Sequence, residues 1–345
     1  MNGLFKMAHG NAQLELREAR QRPAGPGEVV IRVRYAGICG TDLHIVKDEF
    51  PSWPPVILGH EFTGTVDSLG AGVDPALLGA RVVCEPHASA CQTCYLCRRG
   101  NPELCASKRS PGWGVDGAFA SYVTVPAWLL HRVPDGIPDK VAVLAEPTAI
   151  VMTALRRADL AAGDAVLVVG PGPVGILAAL AARTSGAADV VIAGGPMDGS
   201  RLEFARSLDL FAVASDDAPA LMRERTHGRG ADLVVECSGS AAGVATVFDA
   251  VRRRGRVASI GLSGQATIDV PWDLATSRAV DLAFSMSSNY AAWDAGLAIL
   301  SRIASDAVRI PAIFPLGEWR AAFDAAASRN VIKAVLDPTE ATDPR

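Results

Sequence analysis

Apolar and polar residues alternate in short runs over roughly the first 145 residues, as in EVVIRVRYAG (28 to 37) and EFTGTVDSLG (61 to 70), with Gly, Pro and Asp between the runs. A period of two bounded by turn residues predicts strands with one buried face, so this stretch reads as an all-β, barrel-like domain. After Pro147 the pattern changes. TAIVMTALRRADL (148 to 160) carries its apolar residues at helical spacing. Beyond it, continuous apolar runs alternate with helical ones: DAVLVVG, PVGILAALAARTSG, DVVIAGG, RLEFARSLDL, DLVVECSG, AGVATVFDAVRRRG and RVASIGL. Strands apolar on both faces and separated by helices predict a parallel sheet covered on both sides. From Asp281 the pattern is irregular, and NVIKAVLDP (330 to 338) reads as a closing strand. The predicted fold class is therefore α/β plus β, with a doubly wound parallel sheet over 148 to 285 inserted into a β domain made of 1 to 147 and 286 to 345.

One apolar strand in the inserted part runs into VLVVGPGPVG (166 to 175), which reads Gly170-x-Gly172-x-x-Gly175 and opens a helix. The first glycine permits a tight turn, the second lets a pyrophosphate approach the backbone, and the third lets helix and strand pack closely. Pro173 and Val174 begin the helix, whose free N–H groups and positive dipole end suit a phosphate. The motif predicts dinucleotide binding. Its usual last member, an acid about 20 residues on that binds the ribose 2′-hydroxyl, is replaced by Gly194. Asp198 is placed to reach the ribose, or Arg201 to accept a 2′-phosphate, so NAD and NADP both stand.

The chain has 345 residues, 49% of them hydrophobic, which suits two buried cores. Its formal net charge of -4 is spread along the sequence and presents no basic face for nucleic acid or anionic lipid. The N-terminus lacks the basic start and apolar run of a signal peptide, and the longest apolar segments are broken by Gly and Pro. A cytoplasmic protein is expected. Seven cysteines are an odd number, and four of them fall in CQTCYLCRRGNPELC (91 to 105). In a reducing compartment that spacing favours thiolate ligands over disulfides. Cys91, Cys94, Cys97 and Cys105 would fill a tetrahedral zinc completely and leave no position for a substrate. Cys84 and Cys237 read as small buried residues.

GICGTDLH (37 to 44) supplies Cys39, Thr41, Asp42 and His44; LGHEF (58 to 62) supplies His60 and Glu61; LAEP supplies Glu146. Taken singly, each has an ordinary structural role open to it. Together, a thiol, an imidazole and a carboxylate are the ligand types of a catalytic zinc, which keeps one position open. Phe50, Trp53, Trp113 and Trp128 could line a substrate pocket, but aromatic residues near a cleft are more often packing, and they are left out of the expected site.

With DGAFASYVTVP (116 to 126), GPGPVG and GRGADLVVECSG (228 to 239), these motifs make nearly the whole chain resemble the zinc-dependent medium-chain dehydrogenases, within their sorbitol (polyol) and threonine dehydrogenase branch. Ala80 and Ser121 depart from the Asp and Glu that relatives often carry there. The resemblance implies a GroES-like catalytic domain, a Rossmann coenzyme domain and two zinc ions per chain. The four-cysteine lobe matches the structural site. Cys39, His60 and Glu61 match the catalytic ligands, and Glu146 an acid that ligates directly or through water; which of Glu61 and Glu146 binds in a given state stays open. Thr41 and His44 match a relay that takes a proton from the substrate hydroxyl by way of the cofactor ribose, and Asp42 a residue that orients its neighbours. The implied reaction moves hydride from a secondary alcohol (polyol, sugar, cyclitol or amino alcohol) to NAD(P)+. The alternatives are a zinc-independent enone or quinone reductase, or a non-catalytic nucleotide-binding protein. Relatives imply a homodimer or homotetramer, with DLAFSMSSN (281 to 289) as the joining edge.

Overall fold

The computed structural model describes residues 1–10 and 13–339, and it divides into two compact units, Met1–Glu146 with Ser288–Arg345, and Pro147–Ser287. In the first unit the strands order as Pro311–Pro315, Lys333–Asp337, Glu28–Gly37, Glu61–Leu69, Arg81–Cys84 and Leu130–Arg132, and Tyr122–Pro126 also pairs with Glu28–Gly37. A second sheet joins Leu14–Glu18, Asn2–Lys6 and Val56–Ile57. Leu4, Ile31, Val33, Phe62 and Phe119, all at most 3% exposed, form the centre of this core. The pairing of Glu28–Gly37 with Glu61–Leu69 is antiparallel and ends with Gly37 opposite Glu61. The residues just beyond those two ends are thereby brought together.

The second unit is a six-stranded, wholly parallel sheet ordered Phe211–Ala214, Asp189–Gly194, Ala165–Val169, Ala231–Glu236, Val251–Ser259 and Asp281–Phe284. Numbered within the sheet this is 3-2-1-4-5-6, the dinucleotide-binding order, with its switch point between Ala165–Val169 and Ala231–Glu236. The strand Ala165–Val169 is buried on both faces, and residues 175–182 of the helix Pro173–Thr184 are buried all round it. That accounts for the unbroken apolar run in the sequence.

Several elements differ from expectation. The strand Phe211–Ala214 and the helix Ala218–Arg225 occupy a stretch with too short an apolar run to read. The helix read as AGVATVFDAVRRRG stops at Ala250, and VRRRG belongs to the next strand. There the pairing slips, from Ala231 opposite Val251 to Leu233 opposite Arg256, and Arg254 takes a φ of 51°. The stretch after Asp281 is not irregular: it holds the helices Tyr290–Arg302 and Trp319–Ala327. Trp293, Leu297 and Leu300 line the buried face of the first at three- and four-residue spacing. Among the described residues no helix is long and apolar enough to cross a membrane.

Candidate active site and metal centres

Cys39 stands at the N-cap of the helix Gly40–Val46, two residues after the end of the strand Glu28–Gly37, while Glu61 opens the opposing strand. Gly59 precedes His60 at a φ of 94°, and a Cβ there would lie 2.4 Å from the Phe119 ring. Only glycine makes this turn against the core, and it presents His60 inward. One ligand atom each from Cys39, His60 and Glu61 lie within 4.8 Å of one another, and His60 and Glu61 are buried.

The groups behind this cluster fit a cation. Asp42 is wholly buried; its Oδ2 accepts the Cys39 N–H at 2.8 Å. Its Oδ1 faces His60 Nδ1 at 3.6 Å, and neither of these two buried atoms has a hydrogen bond. A buried carboxylate behind the imidazole is the usual surrounding of a metal-binding histidine. Burial opposes the His60 imidazolium, but Asp42 and Cys39 outweigh it and raise the His60 pKa well above its ordinary value. The cluster thus attracts positive charge. A thiol, an imidazole and a carboxylate at this spacing suit zinc, whose bonds of about 2.0–2.3 Å would draw them closer.

Glu146 lies in the first turn of the helix Ala145–Arg157 and is 7% exposed. Burial, and next the charge of Glu61, push its carboxyl up to about 7, against the pull of His60, Lys333 and Lys108. It stands near the three-residue cluster but outside it. Thr41 and His44 sit three residues apart on Gly40–Val46, which places them on one helix face. His44 is half-buried, with Nδ1 2.7 Å from Glu49 Oε2.

Two residues that the sequence reading did not place at this site stand there. Lys333, from the strand Lys333–Asp337, is buried and forms an ion pair with Glu61. Burial alone would lower its pKa, but Glu61, Cys39 and Glu146 around it hold it above the ordinary value. The only signal was the single cation within NVIKAVLDP. Trp113 sets its ring edge-on to His60 with centroids 4.9 Å apart, and Phe50 meets Trp113 at 5.6 Å. Trp128 is elsewhere, beside His87.

Cys91, Cys94, Cys97 and Cys105 converge with their sulfurs within 4.8 Å of one another. Cys91 to Cys97 is 4.0 Å and Cys94 to Cys105 is 3.9 Å, and none is in a disulfide. Four thiolates on a zinc at about 2.3 Å have tetrahedral edges of about 3.8 Å, so the lobe fits the ion with little change. Backbone N–H groups already point at sulfur: that of Cys94 at Cys91 Sγ, 3.3 Å, and that of Cys91 at Cys105 Sγ, 3.4 Å. Cys84 is buried and Cys237 half-buried.

In the second unit the glycine-rich turn follows Ala165–Val169 at the switch point. A Cβ on Gly175 would lie 1.9 Å from the Gly170 carbonyl oxygen, which shows how closely helix and turn approach. Gly172 caps the helix and Pro173 is its first residue. Gly194 ends the neighbouring strand, where a Cβ would meet the side chains of Pro171, Asp198 and Leu202 at 2.9 to 3.1 Å. The usual acid has no room there. Asp198 is buried instead, its Oδ2 accepting the Gly195 N–H at 3.0 Å. The Arg201 guanidinium reaches to 3.7 Å from a Cβ built on Gly172, beside the turn.

Comparison with known proteins gives two family matches: the alcohol dehydrogenase GroES-like domain over residues 25–135 and the zinc-binding dehydrogenase domain over 173–302. The chain is 34% identical to a sorbitol dehydrogenase of Halalkalibacterium halodurans, covering 99% of this chain and 100% of that protein. It is 37% identical to an L-threonine 3-dehydrogenase of Pyrococcus horikoshii over 74% of each. Among solved structures, the alcohol dehydrogenase TADH from Thermus sp. ATN1 superposes with a TM-score of 0.87 at 28% identity, covering 98% of this chain and 99% of that one.

Proposed function

The chain belongs to the zinc-dependent medium-chain dehydrogenases, in their polyol and threonine dehydrogenase branch, and from that premise we propose that Cys39, His60 and Glu61, with Glu146 beside them, form the catalytic site of an NAD(P)-dependent alcohol or polyol dehydrogenase. The observation that carries this reading is the buried cluster of three unlike ligand atoms within 4.8 Å. Zinc there supplies a redox-silent Lewis acid that lowers the pKa of a substrate hydroxyl, and the nicotinamide supplies the hydride acceptor.

The chain's own residues do the rest. Asp42 holds Cys39 through its N–H and backs His60, so that two ligands are oriented by one buried carboxylate. Lys333 balances part of the negative charge of Glu61, Cys39 and Glu146. Thr41 takes up the proton of the reacting hydroxyl as it gives up its own, and His44, half-buried on the same helix, is the group that releases a proton to solvent. Trp113 and Phe50 give the His60 side an apolar wall. The turn Gly170 to Gly175 takes the cofactor pyrophosphate, with Asp198 and Arg201 at its ribose side. Cys91, Cys94, Cys97 and Cys105 hold a second, structural zinc. The substrate is a secondary alcohol such as a polyol, sugar, cyclitol or amino alcohol.

The enzyme is read as cytoplasmic and as a homodimer or homotetramer joined through the sheet edge Asp281–Phe284, where Leu282 and Phe284 are exposed. Residues 1–147 with 286–345 are assigned to catalysis and 148–285 to the coenzyme. The test is metal content and turnover together. The purified protein should hold about two zinc ions per chain. Cys39→Ser should lose one of them and cut alcohol oxidation by about a hundredfold or more while the fold persists. Unchanged turnover would sink the assignment.

A further inference from the structure

Parallel strands give the second unit two unlike ends. The glycine-rich turn lies at the C-terminal end of the sheet. At the opposite end, just before the starts of Ala231–Glu236 and Val251–Ser259, lies a cavity of about 500 Å³. Six residues of strand at about 3.3 Å each set the two ends about 20 Å apart. Arg223, Arg229, Arg252, Arg253 and Arg278 line the cavity together with a single acid, Asp249.

Part of this charge has a structural task. Arg223 and Arg278 donate to the Asp249 and Phe248 carbonyls, at 3.2 and 2.7 Å, where the helix Ala241–Ala250 ends. Arg253 donates to the Ser277 carbonyl at 3.1 Å, where Trp272–Ser277 ends, and Arg229 to the Thr226 carbonyl at 3.2 Å. A helix C-terminus carries only about half a negative charge, and each guanidinium has five N–H donors. Capping therefore leaves most of the donors of Arg223, Arg229, Arg253 and Arg278 uncommitted, whereas Arg252 also donates to the Arg253 and Arg254 carbonyls at 2.8 and 2.7 Å. Among the cavity's arginines only Arg252 has a carboxylate within ion-pair reach among the described residues, Asp232 at 2.5 Å. Five arginines against Asp249 and Asp232 leave a surplus of three positive charges (5 − 2 = 3), in a chain whose formal net charge is -4.

We propose that this cavity binds a polyvalent phosphate anion, pyrophosphate or a longer phosphate chain, at a site separate from the cofactor turn. The planar fork of arginine pairs two N–H groups with two phosphate oxygens, and several forks around one cavity favour a chain of phosphates over a single one. The source is either a free oligophosphate or the phosphate arm of a nucleotide.

Calorimetric titration of the zinc-loaded enzyme distinguishes these, carried out with saturating NADH so that the cofactor turn is occupied, in about 0.15 M salt, where surface attraction is screened. The probes are pyrophosphate, tripolyphosphate and ATP. One saturable site per chain is expected, weakened at least tenfold in an Arg229→Gln, Arg253→Gln double variant whose Michaelis constant for NADH is unchanged. Both side chains are exposed, so the variant is expected to fold, and its thermal midpoint verifies this; should it fall, Arg253→Gln alone must weaken binding at least threefold. Equal affinity for tripolyphosphate and ATP assigns a free phosphate chain, and tighter ATP assigns a nucleotide. No saturable binding, binding abolished by NADH, or unchanged affinity in the folded variants would overturn the proposal.

Discussion

Lys333 and Glu61 are 272 positions apart in sequence (333 − 61) and in ion contact in the fold. Both side chains are at most 3% exposed, so removing one partner leaves an uncompensated buried charge. Lys333→Met should therefore destabilise the metal-free protein by about 3 kcal/mol or more. A bound zinc places a cation beside the same carboxylate, so the loss should be smaller in the zinc-loaded form. Urea unfolding with and without a chelator measures both, and equal losses would detach Lys333 from the metal site. Cys39, His60 and Glu61 were legible because each lies in a short local motif. Lys333 and Trp113 were not, because their part in the site depends on a strand and a turn arriving from elsewhere in the chain. Glu146 was legible as an acid near the site, but its pKa of about 7 comes from burial and from Glu61, which no local pattern carries.

Elements were readable where the period was long and the apolar run unbroken, as in Ala165–Val169 and Pro173–Thr184. They were lost where the strand is four residues long, as in Phe211–Ala214, or where a bulge interrupts pairing, as at VRRRG. The four-cysteine lobe was readable for a different reason, since ligand spacing needs no periodicity. Cys97→Ser should reduce zinc from about two to about one per chain and expose residues 91–105 to proteolysis, while the catalytic zinc stays; loss of both ions would mean that the lobe and the active site do not load separately. Asp232 shows how one side chain ties elements together. It accepts the Ala165 N–H at 2.8 Å and pairs with Arg252, so three adjacent strands meet at one carboxylate. Burial raises its pKa, but the Ala165 N–H and Arg252 outweigh that and hold it below the ordinary value of 3.8. The native state thus keeps Asp232 charged where the unfolded chain begins to take up a proton. Its contribution is complete above that ordinary value and is lost as pH falls through the lower, native one. Asp232→Asn should cost about 1–3 kcal/mol at neutral pH. The gap to the parent protein in urea unfolding should narrow below pH of about 4, and a gap that does not change with pH would rule out the carboxylate as its source.

The first unit is assembled from both ends of the chain, and the cost of that design falls on the last strand. Lys333–Asp337 is buried at all five positions and lies between Pro311–Pro315 and Glu28–Gly37, with Val335 opposite Gly37 and Leu336 opposite Ala36. Asp337 pairs with Arg34 at 2.5 Å, and Ser121 Oγ donates to the Pro338 carbonyl at 3.2 Å. Burying side chains such as Val335 and Leu336 is worth about 1.5–3 kcal/mol each, and the two ion pairs and the strand's ladder bonds go with them. Against a total stability of about 5–15 kcal/mol, the loss is comparable to the whole. Pro147–Ser287, by contrast, has its own sheet and its own core of Leu167, Val169, Val191 and Val234, and it draws no strand from the C-terminal segment. Ending the chain at Arg329 should therefore unfold the first unit and abolish catalytic zinc binding, while the cooperative unfolding of the second unit and its dinucleotide binding survive. Calorimetry and equilibrium NADH fluorescence read the two outcomes separately. If the shortened chain kept both zinc ions and its turnover, the closing strand would not be what completes the site.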